Sequence, residues 1–75
     1  MNEKPSICVL GLGYIGLPTA SLLATKGFQV TGVDNLQEVV ETINKGEIHI
    51  VEPKLDILVK SAVQSGKLVA SLKPI

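Results

Sequence analysis

The sequence predicts an α/β fold: the N-terminal half of a doubly wound parallel sheet, with element order β-α-β-α-α-β and strands in the order 3-2-1. Three observations point there. Two short apolar runs, residues 7–10 and 28–33, read as strands apolar on both faces, and the first lacks any polar alternation. A glycine turn, Gly11-Leu12-Gly13-Tyr14-Ile15-Gly16, leaves the first run and opens a stretch with helical character. Further helical stretches separate the second run from a third, so every strand-to-strand connection is long enough to return in parallel.

Ile7, Cys8, Val9 and Leu10 form the first strand. Cys8 is expected to be a small core residue there, because a reactive thiolate needs an electropositive, partly exposed site. Gly11 allows the chain to turn sharply out of the strand. Gly13 has no side chain to hold a phosphate away from its backbone, and Gly16 lets the following helix lie close against the sheet. Pro18 falls early in that helix, where its missing N–H costs little. Leu17, Ala20, Leu23 and Ala24 supply an apolar stripe, and Gly27 after Lys26 is a natural stop. Gly32, inside the second strand, signals a close approach to the backbone, expected to come from an adenosine. Asp34 ends this strand.

A second helix is expected over residues 35–45. Asn35 is its expected cap, with Glu38 in capping-box spacing, and Leu36, Val39, Val40 and Ile43 form its buried stripe. Asn44-Lys45-Gly46 ends it. Residues 47–52 connect to a third helix, which Pro53 opens at its first turn while Glu52 serves its positive N-terminus. Leu55, Leu58, Val59, Ala62 and Val63 are its apolar stripe, and Ser65-Gly66 its stop. Residues 67–72 form the third strand, and Pro74 disfavours extending it.

Strand, glycine turn, helix, strand and acid in this order make the Rossmann-type dinucleotide-binding pattern. The unpaired N–H groups of the first helical turn, with the positive end of its dipole, face the phosphates. A carboxylate at Asp34 accepts hydrogen bonds from the adenosine ribose and repels a 2′-phosphate, so the expected cofactor is NAD rather than NADP. The bland alternatives are a chance glycine loop and an aspartate that merely opens a turn. The agreement of all five parts favours the dinucleotide.

Composition bounds the rest. Seventy-five residues make at most one small domain, and dinucleotide-binding domains are usually about twice that length. The expectation is a partial NAD-binding domain over residues 1–75, with no second domain. Formal net charge is zero and all 7 basic residues are lysine, which argues against nucleic acid. No apolar stretch reaches membrane-span length. Met1-Asn2-Glu3-Lys4 is no signal peptide, so the expected location is cytoplasmic. One cysteine excludes an internal disulfide. His49 and Glu52 have no further ligand at metal-binding spacing, so no metal is expected.

The stretches 11–18, 32–34 and 43–53 resemble the UDP-glucose/GDP-mannose dehydrogenase family, and the resemblance covers nearly the whole chain. Its most discriminating part is Gly46-Glu47-Ile48-His49-Ile50-Val51-Glu52-Pro53. Members acting on UDP-glucose usually carry a proline before the isoleucine and a glycine after the Glu-Pro pair. This chain has His49 and Lys54 there, which favours the branch acting on UDP-N-acetylmannosamine. The resemblance implies an NAD-dependent oxidation of C6 of a nucleotide sugar to a carboxylate, by two hydride transfers to two NAD. A cysteine thiohemiacetal and then a thioester carry the intermediate. It implies a homo-oligomer for the full-length protein. The catalytic cysteine, its helpers and the sugar site lie downstream in the family, and Cys8 does not match that cysteine. Only cofactor contacts carry over: Gly11, Gly13, Gly16 and Asp34, with Tyr14 and Ile15 offering backbone groups and shape around the pyrophosphate.

Three functions fit this sequence. One is the cofactor-binding start of a nucleotide-sugar dehydrogenase. The others are a non-catalytic nucleotide-binding module and a remnant of a truncated frame. The residues favour the first for ancestry.

Overall fold

The computed structural model describes residues 5–74, so the reading of Met1 to Lys4 lies outside the described residues. The elements follow the predicted order: β1 (Ser6–Leu10), α1 (Gly16–Thr25), β2 (Gln29–Val33), α2 (Gln37–Asn44), α3 (Leu55–Gln64) and β3 (Leu68–Ser71). Both strand pairings are parallel and β2 is central, which is the predicted strand order.

Strand periodicity divides the sheet into two unlike faces. Ile7 and Val9 pair with Val30 and Gly32, which pair in turn with Leu68 and Ala70. This row packs under the three helices, with Leu17 and Ala20 of α1, Val39 and Ile43 of α2, and Leu55 and Val59 of α3. Right-handed crossovers place both connections on one side, so among the described residues the opposite side receives no helix. That bare face carries the row Cys8, Thr31, Val69 and the row Leu10, Val33, Ser71. Leu10 is 74% and Val69 41% exposed. Cys8 is exposed as well, which corrects its expected core position. Its neighbours Ile7 and Val9 point into the core, and the two-residue period turns Cys8 away from it.

The helix ends show why α1 and α2 stop where they do. At the end of α1, Gly27 has φ 97°. Its N–H donates to Ala24 O at 3.0 Å and the Phe28 N–H donates to Leu23 O at 3.2 Å. This is the Schellman closure, and it leaves Lys26 as the C-cap at the negative end of the dipole. The same pair of bonds closes α2 after Asn44 and Lys45.

The helix starts depart from expectation. α2 begins at Gln37, its N-cap is Leu36, and no side chain caps it. Asn35 and Glu38 therefore form no capping box. The Asp34 carboxylate takes the Leu36 N–H instead, at 3.1 Å from Oδ1. Leu36 is exposed, while Val39 and Ile43 are buried as expected. α3 begins at Leu55, not at Pro53, and its N-cap is Lys54 in the left-handed region. The backbone carbonyl of Glu52 accepts the Leu55 N–H at 3.1 Å, so Glu52 contributes its main chain rather than a side-chain cap.

Two features escaped the sequence pattern. Asn44 spans the gap between α2 and the outer edge of β3. Its Nδ2 donates to Ala70 O at 2.9 Å and its Oδ1 accepts the Ala70 N–H at 2.8 Å. One side-chain amide thus stands in for a neighbouring strand and blunts that edge. The outer edge of β1 has no strand beside it among the described residues. The second feature is Ser21, fully buried on α1, with a hydroxyl that has no hydrogen-bond partner. A buried unsatisfied hydroxyl costs about 1–3 kcal/mol. Ser21→Ala is therefore expected to stabilise by about 1 kcal/mol, a rise of several degrees in thermal midpoint for so small a domain. A lowered midpoint in a thermal melt would show that the hydroxyl contributes to packing.

Candidate nucleotide-binding site

The site forms where β1 and β2 end and α1 begins. Gly11 extends the pairing by one residue past β1, its N–H donating to Val33 O at 2.7 Å. The chain then turns with Gly11 at φ 92°, a conformation that L side chains rarely adopt. Helical bonding starts immediately afterwards: the Leu17 N–H donates to Gly13 O at 3.0 Å and the Thr19 N–H to Ile15 O at 3.2 Å. The N–H groups of Gly13, Tyr14, Ile15 and Gly16 donate to no other described residue. No side chain caps α1. Four donors thus gather at the positive end of a helix, the arrangement an anion seeks.

The three loop glycines have different reasons. Gly11 is required by its backbone angle. Gly16 is required by contact, since a Cβ there would collide with the carbonyl oxygen of Gly11 and lie 2.8 Å from its carbon. This is the close approach expected of Gly16, made against the turn at the end of β1. Gly13 has neither reason. Its φ is not positive, and beyond its two chain neighbours no atom of the described residues lies within 4 Å of a Cβ built there. What its missing side chain leaves is open space beside the unpaired N–H groups. That fits a pyrophosphate lying on the loop.

Gly32 corrects an expectation. What approaches its backbone is the chain's own Leu12, not space for an adenosine. A Cβ at Gly32 would lie 2.6 Å from Leu12 Cδ2. Leu12 is completely buried although it sits between two glycines of an exposed turn.

Asp34 is half-buried at the end of β2. Its Oδ2 accepts the Leu12 N–H at 3.1 Å and its Oδ1 the Leu36 N–H at 3.1 Å. An ionised carboxylate has about four acceptor positions. One remains on each oxygen, enough for a vicinal pair of ribose hydroxyls. The backbone bonds orient the group before any ligand arrives.

Tyr14 and Ile15 project from the loop, 63% and 84% exposed. Tyr14 lines a groove of 660 Å³ between α1 and α3, with Pro18, Pro53, Leu55, Ile57 and Leu58 as further walls and Glu52 and Lys54 beside them. Lys54 has φ 67°, a conformation that costs a non-glycine residue about 1 kcal/mol or more. That explains physically why glycine suits the position after the Glu-Pro pair. His49 is exposed, and no group of three or more metal-ligating side chains gathers among the described residues. No described helix is long and apolar enough to cross a membrane.

This geometry agrees with the comparisons. Residues 5–74 match the model of the UDP-glucose/GDP-mannose dehydrogenase family, NAD binding domain. The chain belongs to this family, as its NAD-binding domain. It is 55% identical over 74 residues to UDP-N-acetyl-D-mannosamine dehydrogenase of Campylobacter jejuni, covering 99% of this chain and 18% of that protein. It is 58% identical over 69 residues to NDP-N-acetyl-D-galactosaminuronic acid dehydrogenase of Ralstonia nicotianae, covering 92% of this chain and 16% of that protein. The structure of the UDP-N-acetyl-mannosamine dehydrogenase Cap5O from Staphylococcus aureus superposes with a TM-score of 0.89 at 41% identity, covering 95% of this chain and 17% of that one. The chain thus spans less than a fifth of the length of each. Gly11, Gly13, Tyr14, Ile15, Gly16 and Asp34 lie together at the end of the sheet where β1 and β2 stop and α1 begins.

Proposed function

We propose that this chain is the NAD-binding part of a UDP-sugar 6-dehydrogenase that oxidises UDP-N-acetyl-D-mannosamine to the uronate with two NAD. The observation that carries the cofactor site is Gly13, a glycine that neither its backbone angle nor its neighbours require, facing unpaired N–H groups. NAD, when bound, supplies the hydride acceptor. The chain's own residues bind and orient it. Loop N–H groups of Gly13, Tyr14, Ile15 and Gly16 hold the pyrophosphate, the side-chain-free flank of Gly13 lets it approach, and Asp34 holds the adenosine ribose. The sugar follows the name of the Campylobacter relative. The Ralstonia relative, at similar identity, supports a second reading with an N-acetylgalactosamine-type sugar nucleotide. The proposed setting is the cytoplasm, in a homo-oligomer, with neither nucleic acid nor membrane as partner.

Titration with both cofactors tests the site. Removing charge-assisted hydrogen bonds costs about 1.5–3 kcal/mol, on the order of ten- to a hundredfold in affinity. Asp34→Ala is expected to weaken NAD by that factor and to narrow the preference over NADP. Unchanged NAD affinity would remove Asp34 from the ribose site.

The 75 residues by themselves are expected to yield no NADH with UDP-N-acetyl-D-mannosamine. Cys8 lies within β1 on the bare face, not at the strand ends where the loop and Asp34 meet. The exposed apolar rows and the open β1 edge are expected to drive self-association. Solution mass and an NADH assay check both halves: a monodisperse monomer contradicts the first, stoichiometric NADH the second. Assaying both sugar nucleotides on the full-length protein, which carries the sugar site, then separates the two sugar readings.

A further inference from the structure

The glycine loop contains one side chain that phosphate binding does not explain. Leu12 lies between Gly11 and Gly13 and is completely buried. It sits on Gly32 so tightly that a methyl group there would lie 2.6 Å from Cδ2 and 3.0 Å from Cδ1. Its N–H donates to Asp34 Oδ2 at 3.1 Å. The preceding N–H, of Gly11, donates to Val33 O at 2.7 Å. Three consecutive residues at the end of β2 therefore grip two consecutive residues of the loop. They do so by packing, by a backbone bond and by a bond to a charged acceptor.

We propose that Leu12 is a positioning residue, the key of a latch that seats the phosphate-binding loop on β2. Leu12 does not touch the cofactor. Its side chain sets the height of the loop over Gly32, and its N–H ties that height to the carboxylate that receives the ribose. The two halves of the site, donors for the pyrophosphate and acceptor for the ribose, are thereby held at one separation. Gly32 is glycine to admit Leu12, not to admit a ligand. A side chain at Gly32 lifts the loop away from Asp34 and spoils both contacts at once. This inference rests on the NAD reading for its affinity readout, and its stability readout is independent of it.

The test is a size exchange. Gly32→Ala, Leu12→Val and the pair are compared by NAD titration and by thermal midpoint without cofactor. Leu12→Val removes both Cδ atoms, so it makes room for the new methyl group. Gly32→Ala is expected to lower the midpoint and to weaken NAD on the order of tenfold, in the range of coupling between contacting residues. Adding Leu12→Val is expected to recover most of both losses. Additive losses overturn the proposal. A Gly32→Ala variant with weakened NAD, an unchanged midpoint and no recovery also overturns it, since the methyl group then meets the ligand directly. If the unaltered protein binds no NAD, the proposed function fails while the midpoint cycle still decides the latch. If Gly32→Ala does not fold, Leu12→Ala is read instead. It adds no atom near the cofactor and is expected to weaken NAD several-fold, and unchanged affinity overturns the proposal.

Discussion

A Gly13→Val variant is expected to lose NAD binding while keeping its fold. Beyond its chain neighbours, nothing in the described residues lies within 4 Å of a Cβ at this position, and its backbone angle suits an ordinary residue. The folded protein therefore accepts the side chain at the small cost of a β-branched residue at an exposed turn, about 1 kcal/mol or less. The ligand does not. Two Cγ atoms would occupy the space beside the unpaired N–H groups of the loop, and a pyrophosphate pushed outward loses several charge-assisted bonds together. Each is worth about 1.5–3 kcal/mol, so the affinity should fall by more than about a hundredfold. Circular dichroism reads the fold and a cofactor titration reads the site. Normal helical content with retained NAD binding would show that the loop does not cradle the pyrophosphate.

Gly16→Ala, a smaller change three residues on, is expected to damage the fold itself. Its Cβ meets the carbonyl oxygen of Gly11, which is backbone and has no rotamer to escape into. Either α1 moves off the end of β1 or the turn at Gly11 opens. Overpacking against a well-packed core typically costs about 1–3 kcal/mol, occasionally more. A clash with main chain belongs at or above the top of that range. A domain this small has a thin margin of stability, having buried only about 60% of its unfolded surface. Denaturant or thermal unfolding of Gly16→Ala should show a midpoint well below that of Gly13→Val, with NAD binding lost as a consequence. Equal midpoints for the two would mean that the approach of α1 to the Gly11 turn is not a packing constraint.

The contrast between these glycines shows where sequence reading reaches and where it stops. The motif announces three glycines, and the structure shows a turn at Gly11, an open flank at Gly13 and a close approach at Gly16. A fourth, Gly32, signalled a close approach, but its partner was misread. Leu12 fills the space expected for an adenosine, and no local pattern marks a leucine inside a glycine turn as buried. Cys8 was misassigned for a related reason. An apolar run gives a strand two apolar faces, and which of them carries Cys8 is set by the helices that pack on the row of Ile7 and Val9. The start of α2 shows a competition. Asn35 has the residue type of a cap, yet Asp34 supplies the acceptor for Leu36, because that carboxylate is already held at the strand end by the Leu12 N–H.

The sequence by itself determined the element order, the parallel sheet with β2 at its centre, the glycine loop and the acid beyond β2. The elements, the loop and the acid depend on interactions within a few residues: the two- and 3.6-residue periods, glycine's freedom at φ 92°, the stops after each helix, and a carboxylate placed one residue past a strand. The parallel order follows from the length and right-handedness of the connections. Tertiary structure alone decided four things. They are the face on which Cys8 lies, the seat of Leu12 over Gly32, the amide of Asn44 paired with Ala70, and the groove that joins Tyr14 to α3. Each is a contact between segments far apart in the chain. Such a contact depends on how helices and strands stack, and a single residue's propensity carries no record of the partner that stacking will bring to it.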